Sequence, residues 1–430
     1  TEFPNGTVEI REYDELNRLL YIETSGSEGV IASFRYTLDE TGNRTAVEEH
    51  DGRRVAYEYD DLYRLTAEII YDPGAIGPSL IIEYVYDKVG NRLSRTDTGE
   101  GTTIYTYDDN DRLLTATTDG VTTTYTYDNN GNTTSKTADG TTITYSWNAD
   151  NRLIGADTDG NGAIDVVNQY NENGIRVSQT VNGEETRFLI DANRPYAQVL
   201  EEYTPGGIIK VSYMYGNDLI SQNRGGKKSF YHVDGLGSTR ALSDDSGLSI
   251  DKYIYDAFGQ AISDPVDEEN LYLFAGEQRD WLLGVDYLRA RYLDSETGKF
   301  LSRDFYEGRV REPFTLHKYL YANADPIQYI DPTGLFSISE LLTNTKLINI
   351  INTATDAFGT AVRVYNTAQG LVSIINYAQM ASDILQAFGQ PSPAMAQAHI
   401  TQVLRKYLNV SNVISGFEAA LREIASDWPD

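Results

Sequence analysis

Polar and apolar positions alternate with period two over long stretches of the chain. Ile104-Tyr105-Thr106-Tyr107 and Thr124-Tyr125-Thr126-Tyr127 put successive tyrosines on one face of an extended strand. Each alternating run ends in a segment such as Asp128-Asn129-Asn130-Gly131, whose residue types tolerate positive φ and reverse the chain. The predicted unit is strand, turn, strand. It recurs as YDELNRL from Tyr13, LDETGNRT from Leu38, YDDLYRL from Tyr59, YDKVGNRL from Tyr86, YDDNDRL from Tyr107, YDNNGNT from Tyr127, WNADNRL from Trp147 and YNENGIRV from Tyr170. The period is roughly 20 to 27 residues, which marks a stacked array. A lone hairpin cannot bury its tyrosine face, so neighbouring copies must supply the core.

The pattern changes after Leu335. The remaining segment holds 4 of the 36 glycines and 3 of the 32 tyrosines, and its apolar residues fall at helical spacing, as in Leu371, Ile374, Ile375 and Ala378 or Leu404, Tyr407 and Leu408. This predicts a mainly β chain with a helical C-terminal segment. The expected domains are 1–180 (repeats), 181–335 (a second β region) and 336–430 (helical). The formal charge of −29 repels phosphate backbones, so no nucleic-acid partner is expected. The absence of cysteine removes disulfides, thiolate metal sites and thiol nucleophiles together. No apolar run is long enough to suggest a membrane span.

Beyond the repeats stand Tyr231-His232-Val233-Asp234-Gly235-Leu236-Gly237-Ser238-Thr239-Arg240, Tyr253-Ile254-Tyr255-Asp256-Ala257-Phe258-Gly259, Leu288-Arg289-Ala290-Arg291-Tyr292-Leu293-Asp294, Leu301-Ser302-Arg303-Asp304 and Asp331-Pro332-Thr333-Gly334-Leu335. In this order, after Tyr-Asp repeats, they resemble the Rhs/YD-repeat family, which includes bacterial Rhs toxins, the C-type subunits of Tc toxins and the animal teneurins. The resemblance covers roughly residues 10 to 335. It implies a YD-repeat hairpin array spiralling into a hollow shell, with the Rhs core at 181–335 as a plug. It implies further that the segment after Asp-Pro-x-Gly-Leu is a cargo, cut from the shell by an aspartyl autoprotease and kept inside. The partners implied are that segment itself and secretion or toxin-complex components, and the location is secreted or at the surface of a bacterial cell. Two other readings stay open: a YD-repeat scaffold that cuts nothing, and an adhesion or glycan-binding module.

A carboxyl pair cleaves a peptide when one member activates water and the other, protonated, donates. Asp304 and Asp331 are the expected pair, and Arg291 matches the family's essential arginine, placed to orient a carboxylate or steady charge on the carbonyl. The bond expected to break is Leu335-Phe336. The chain departs from the common Asp-Pro-x-Gly at the first motif, where it reads Asp304-Phe305-Tyr306-Glu307-Gly308. No cofactor is required for such a reaction. A separate loop, Asp157-Thr158-Asp159-Gly160-Asn161-Gly162-Ala163-Ile164-Asp165, sets oxygen ligands Asp157, Asp159, Asn161 and Asp165 at alternating positions with a glycine sixth, the opening half of a calcium loop. Its twelfth position is Asn168 rather than a bidentate glutamate.

Overall fold

The computed structural model describes residues 1–339 apart from 195, 217, 263–268, 306–307, 309–312 and 336. Thr1–Ala192 and Tyr196–Leu341 form one compact unit. The helical segment expected over 336–430 lies outside the described residues, apart from 337–339. A 23-stranded sheet dominates, running from β1 (Val8–Tyr13) to β23 (Ser249–Lys252), and each strand pairs antiparallel with the next in sequence. The sheet passes residue 180 without a break and ends only at Lys252.

Local chemistry explains the meander. One end of many hairpins closes on a two-residue turn in which both residues have positive φ, as at Asp119-Gly120 (50° and 85°) and Asp139-Gly140 (49° and 80°). The other end is the Tyr-Asp turn. Asp60 Oδ1 accepts the N–H groups of Leu62 (2.9 Å) and Arg64 (3.0 Å), while its Oδ2 takes the Arg64 side chain at 2.7 Å. Residue i+3 sits in the left-handed region, Tyr63 at φ 62° and Gly131 at φ 88°. Asn148 repeats the backbone half of this pattern without a charge, so the carboxylate's added role is to hold the arginine.

The aromatic before the turn stitches one repeat to the previous one. At that residue the strand register slips, as between Thr126 and Tyr127, and the ring's polar atom reaches a main-chain carbonyl one hairpin back. Tyr59 donates to Arg44 O (2.6 Å), Tyr107 to Arg92 O (2.7 Å), Tyr127 to Leu113 O (2.9 Å) and Trp147 Nε1 to Thr133 O (2.7 Å). Two residues earlier, Tyr105, Tyr125 and Tyr145 are buried on the same face. These rings form packing surface, each hydroxyl or ring finding a partner within the protein.

The sheet winds back onto its own start. Arg240 reaches Glu49 at 2.9 Å, Gly235 N donates to the Tyr36 hydroxyl at 2.8 Å, and the Asn5 amide bonds Ser243 Oγ (2.9 Å) and Asp244 O (2.8 Å). The described residues of the segment 256–334 then pack against the Tyr-Asp end of the wound sheet. They include a four-stranded sheet, β24 (Gln278–Asp280), β25 (Val285–Leu288), β26 (Arg291–Asp294) and β27 (Lys299–Phe300). Turn after turn touches this segment: Arg44 bonds Ile327 O, Asn91 meets Lys299 and His317, Gly131 O accepts from Tyr319, Thr133 bonds Leu301 O, and Arg176 reaches Gln278. Its apolar side chains Leu283, Val285, Tyr287, Tyr292 and Leu301 share a core with Tyr145, Leu153, Ala156 and Val166. The segment thus caps the sheet and brings its own loops close together.

Candidate functional site

The site begins with a hairpin. β25 and β26 are joined by Arg289-Ala290, with Arg289 at φ 57°, so Arg291 starts β26 facing the loops that follow. Its guanidinium is buried, with the Phe300 ring 3.6 Å from its centre. Arg291 Nη2 lies 3.0 Å from Asp304 Oδ2 and 3.2 Å from Asp331 Oδ2. Both acids therefore hang on one nitrogen, although they are distant in sequence. Arg291 Nε also donates to Gly334 O. Asp331 and Arg291 are 2% exposed and Asp304 11%, so Asp304 stands on the wetter side.

The junction is flanked by two paired strands. Tyr329 and Ile330 pair with Ser339 and Ile338, and the chain between them turns through the Asp-Pro-Thr-Gly-Leu motif. Asp331 Oδ1 accepts the Leu335 N–H at 3.0 Å and Gly334 N donates to Asp331 O at 3.2 Å. Gly334 has φ 69°, and a Cβ there would collide with the Leu288 carbonyl and lie 2.9 Å from Arg291 N. Only glycine fits this bend. The structure thus brings Arg291, Asp304, Asp331 and Leu335 together, while Phe336 lies outside the described residues.

Two participants carried no signal in the sequence. Glu277 is buried 2.7 Å from Arg289, and burial pushes its carboxyl up to about 7 although Arg289 pulls it down; the charge of Asp331 adds to the rise. The main-chain carbonyl of Lys318 accepts from both Asp304 N (2.8 Å) and Arg291 Nη1 (3.4 Å), tying the backbone at the first acid to the guanidinium. A backbone carbonyl leaves no trace in residue identity. Glu277 is an ordinary charged residue until the fold buries it.

The second candidate, the acidic loop, holds Asp157, Asp159 and Asp165 with one carboxylate oxygen from each within 4.8 Å of the others. Asp157 accepts the N–H groups of Gly160 and Gly162, both at 2.8 Å; these hold its carboxyl below the usual range although burial opposes them. The Asn161 carbonyl is spent on Ala163 N at 2.7 Å. Asn168 faces away, its amide donating to Leu153 O and its carbonyl accepting from Gln179, so it closes no coordination sphere. Three hard oxygen donors on a hairpin tip suit calcium chemically, with Asp157, Asp159 and Asp165 as the residues that would hold it. Among the described residues, no helix is long and apolar enough to cross a membrane.

Comparison with known proteins matches the teneurin YD-shell family model over residues 77–327 and the RHS repeat model over residues 34–73. The tRNA nuclease WapA of Bacillus subtilis is 33% identical over 330 residues, covering 75% of this chain and 12% of that protein. The tRNA3(Ser)-specific nuclease WapA of Bacillus spizizenii aligns with the same identity and coverage. The chain therefore spans about an eighth of the length of these relatives. Among solved structures, TcdB2-TccC3 aligns with 77% of this chain and 21% of its own at 17% identity and a TM-score of 0.41.

Proposed function

The chain belongs to the Rhs/YD-shell family, and from that premise we propose that it is an encapsulating β shell which cuts its own backbone after Leu335 to free residues 336 onward as cargo. The observation supporting this reading is the single guanidinium nitrogen of Arg291 shared by Asp304 and Asp331, beside a loop whose Leu335 N–H is already held by Asp331.

In the reaction, water adds through oxygen to the Leu335 carbonyl carbon and gives one proton to Asp304, the more exposed acid. The carbon–nitrogen bond then breaks as Asp331, entering protonated, passes its proton to the Phe336 nitrogen. Arg291 offsets negative charge throughout. Bond and catalyst share one chain, so the effective concentration is high and a single turnover suffices. The wound sheet capped by residues 256–334 is the container, and the released segment is its own partner. On this reading the protein acts outside, or on the surface of, a bacterial cell.

A denaturing gel with intact mass measurement tests this. The full chain is expected to yield a fragment beginning at Phe336, and Asp331→Asn and Asp304→Asn are each expected to leave it whole. The same fragment from Asp331→Asn refutes the dyad, and an intact wild-type chain favours a scaffold that cuts nothing.

A further inference from the structure

The hairpin that delivers Arg291 makes a series of contacts that the dyad alone does not require. Three consecutive residues of the hairpin meet three consecutive carbonyls of the loop ahead of the junction. Arg289 Nη1 donates to Pro332 O, Ala290 N, shared with Leu288 O at 2.6 Å, donates to Thr333 O at 3.1 Å, and Arg291 Nε donates to Gly334 O. The next polar group along the loop, Leu335 N–H, is taken by Asp331 at 3.0 Å. The main chain from 332 to 335 is thus held through three carbonyls, which every residue type possesses, and one N–H, which only proline lacks.

Arg289 is held for this task from several sides. Glu277 Oε2 lies 2.7 Å from the same Nη1, Ala197 O accepts from Nε at 2.9 Å, and the Tyr196 ring lies 4.3 Å beneath the guanidinium. Its left-handed backbone, φ 57°, is a conformation a side-chain-bearing residue adopts at a cost, and it turns the Ala290 N–H toward Thr333. An arginine's planar fork can serve a carbonyl and a carboxylate at once, which a lysine's single ammonium does less well.

We infer that Arg289-Ala290-Arg291 is a carbonyl clamp that sets the cleavage register by counting main-chain positions from Pro332, with Arg289 as a positioning residue braced by Glu277. The clamp makes the bond cut the one following the first residue beyond Gly334, whatever side chain that residue carries. This deepens the self-cleavage reading and rests on it.

The decisive experiment inserts one alanine between Gly334 and Leu335 of the full chain, leaving every clamp residue intact, and reads the fragment by mass spectrometry. Counting by carbonyls puts the cut after the inserted alanine, so the fragment begins at Leu335 and is one leucine heavier. A cut that stays after Leu335 means side chains choose the bond, and overturns the clamp. In parallel, Arg289→Ala is expected to slow single-turnover cleavage by roughly 100-fold, the scale of a misplacement near 1 Å, with partial recovery in Arg289→Lys. An unchanged rate in Arg289→Ala, while Asp331→Asn still blocks cleavage, overturns the clamp and leaves self-cleavage standing. A wild-type chain that never cuts overturns both.

Discussion

Glu68 lies where the wound sheet meets its cap. Its Oε1 accepts the Tyr84 hydroxyl at 2.6 Å, and its Oε2 accepts the N–H of Ala257, 189 residues away, at 2.8 Å. It is buried. Burial, reinforced by the neighbouring Asp256, pushes its carboxyl from 4.5 up to about 8, against the opposing pull of Tyr84, the Ala257 N–H and Arg95. A folded-state value above the unfolded one means the native protein prefers the protonated acid. Its contribution is complete below pH 4.5, is lost as pH rises toward about 8, and is constant beyond. At 1.36 kcal/mol per unit, the loss across that window is on the order of a few kcal/mol, and it belongs to the Glu68–Asp256 pair, whose two buried carboxyls titrate together. Glu68→Gln mimics the protonated acid at every pH: its carbonyl can accept from Ala257 and its amide can donate to the Tyr84 oxygen. Thermal melts at pH 5 and pH 8.5 should therefore show the wild type losing several degrees more than the variant. Asp325 at about 7 and Asp286 at about 6 are present in both proteins and cancel in the difference, whereas Asp256 responds to the loss of the Glu68 charge and forms part of the effect measured. Parallel pH slopes for the two proteins would refute the argument.

Two further outcomes follow from the candidate sites. Gly334→Ala puts a Cβ against the Leu288 carbonyl and Arg291 N, so it should abolish self-cleavage on a denaturing gel while thermal melting shows the protein still folded; normal cleavage would contradict the bend argument. Calcium should raise the melting temperature through the loop of Asp157, Asp159 and Asp165, by about 2.7 kcal/mol of stability at a hundredfold excess over Kd. Asp159→Asn should reduce that response, and calorimetry showing no heat of binding would remove calcium from the account.

The sequence announces those features whose cause is local. A Tyr-Asp turn is written in one short segment because the aspartate caps its own following N–H groups, and alternating tyrosines declare the packing face without reference to distant partners. Arg291, Asp304, Asp331 and Leu335 are visible through their motifs, although the guanidinium that gathers the two acids is a tertiary fact. Glu68 and Glu277 are silent, since their character comes from burial against residues far along the chain. The extent of the sheet was also concealed. Strands such as Gln198–Tyr203 and Ile209–Tyr215 join the same meander without a clear Tyr-Asp signature, because antiparallel pairing needs only backbone and a compatible face.

The paired strands Tyr329–Ile330 and Ile338–Ser339 stand on opposite sides of the Leu335-Phe336 junction. A cut at that bond would not itself remove the ladder, so the two ends would stay paired across the nick. Under the proposed self-cleavage, bond breakage and departure would then be separate events, the second needing this two-residue ladder to open.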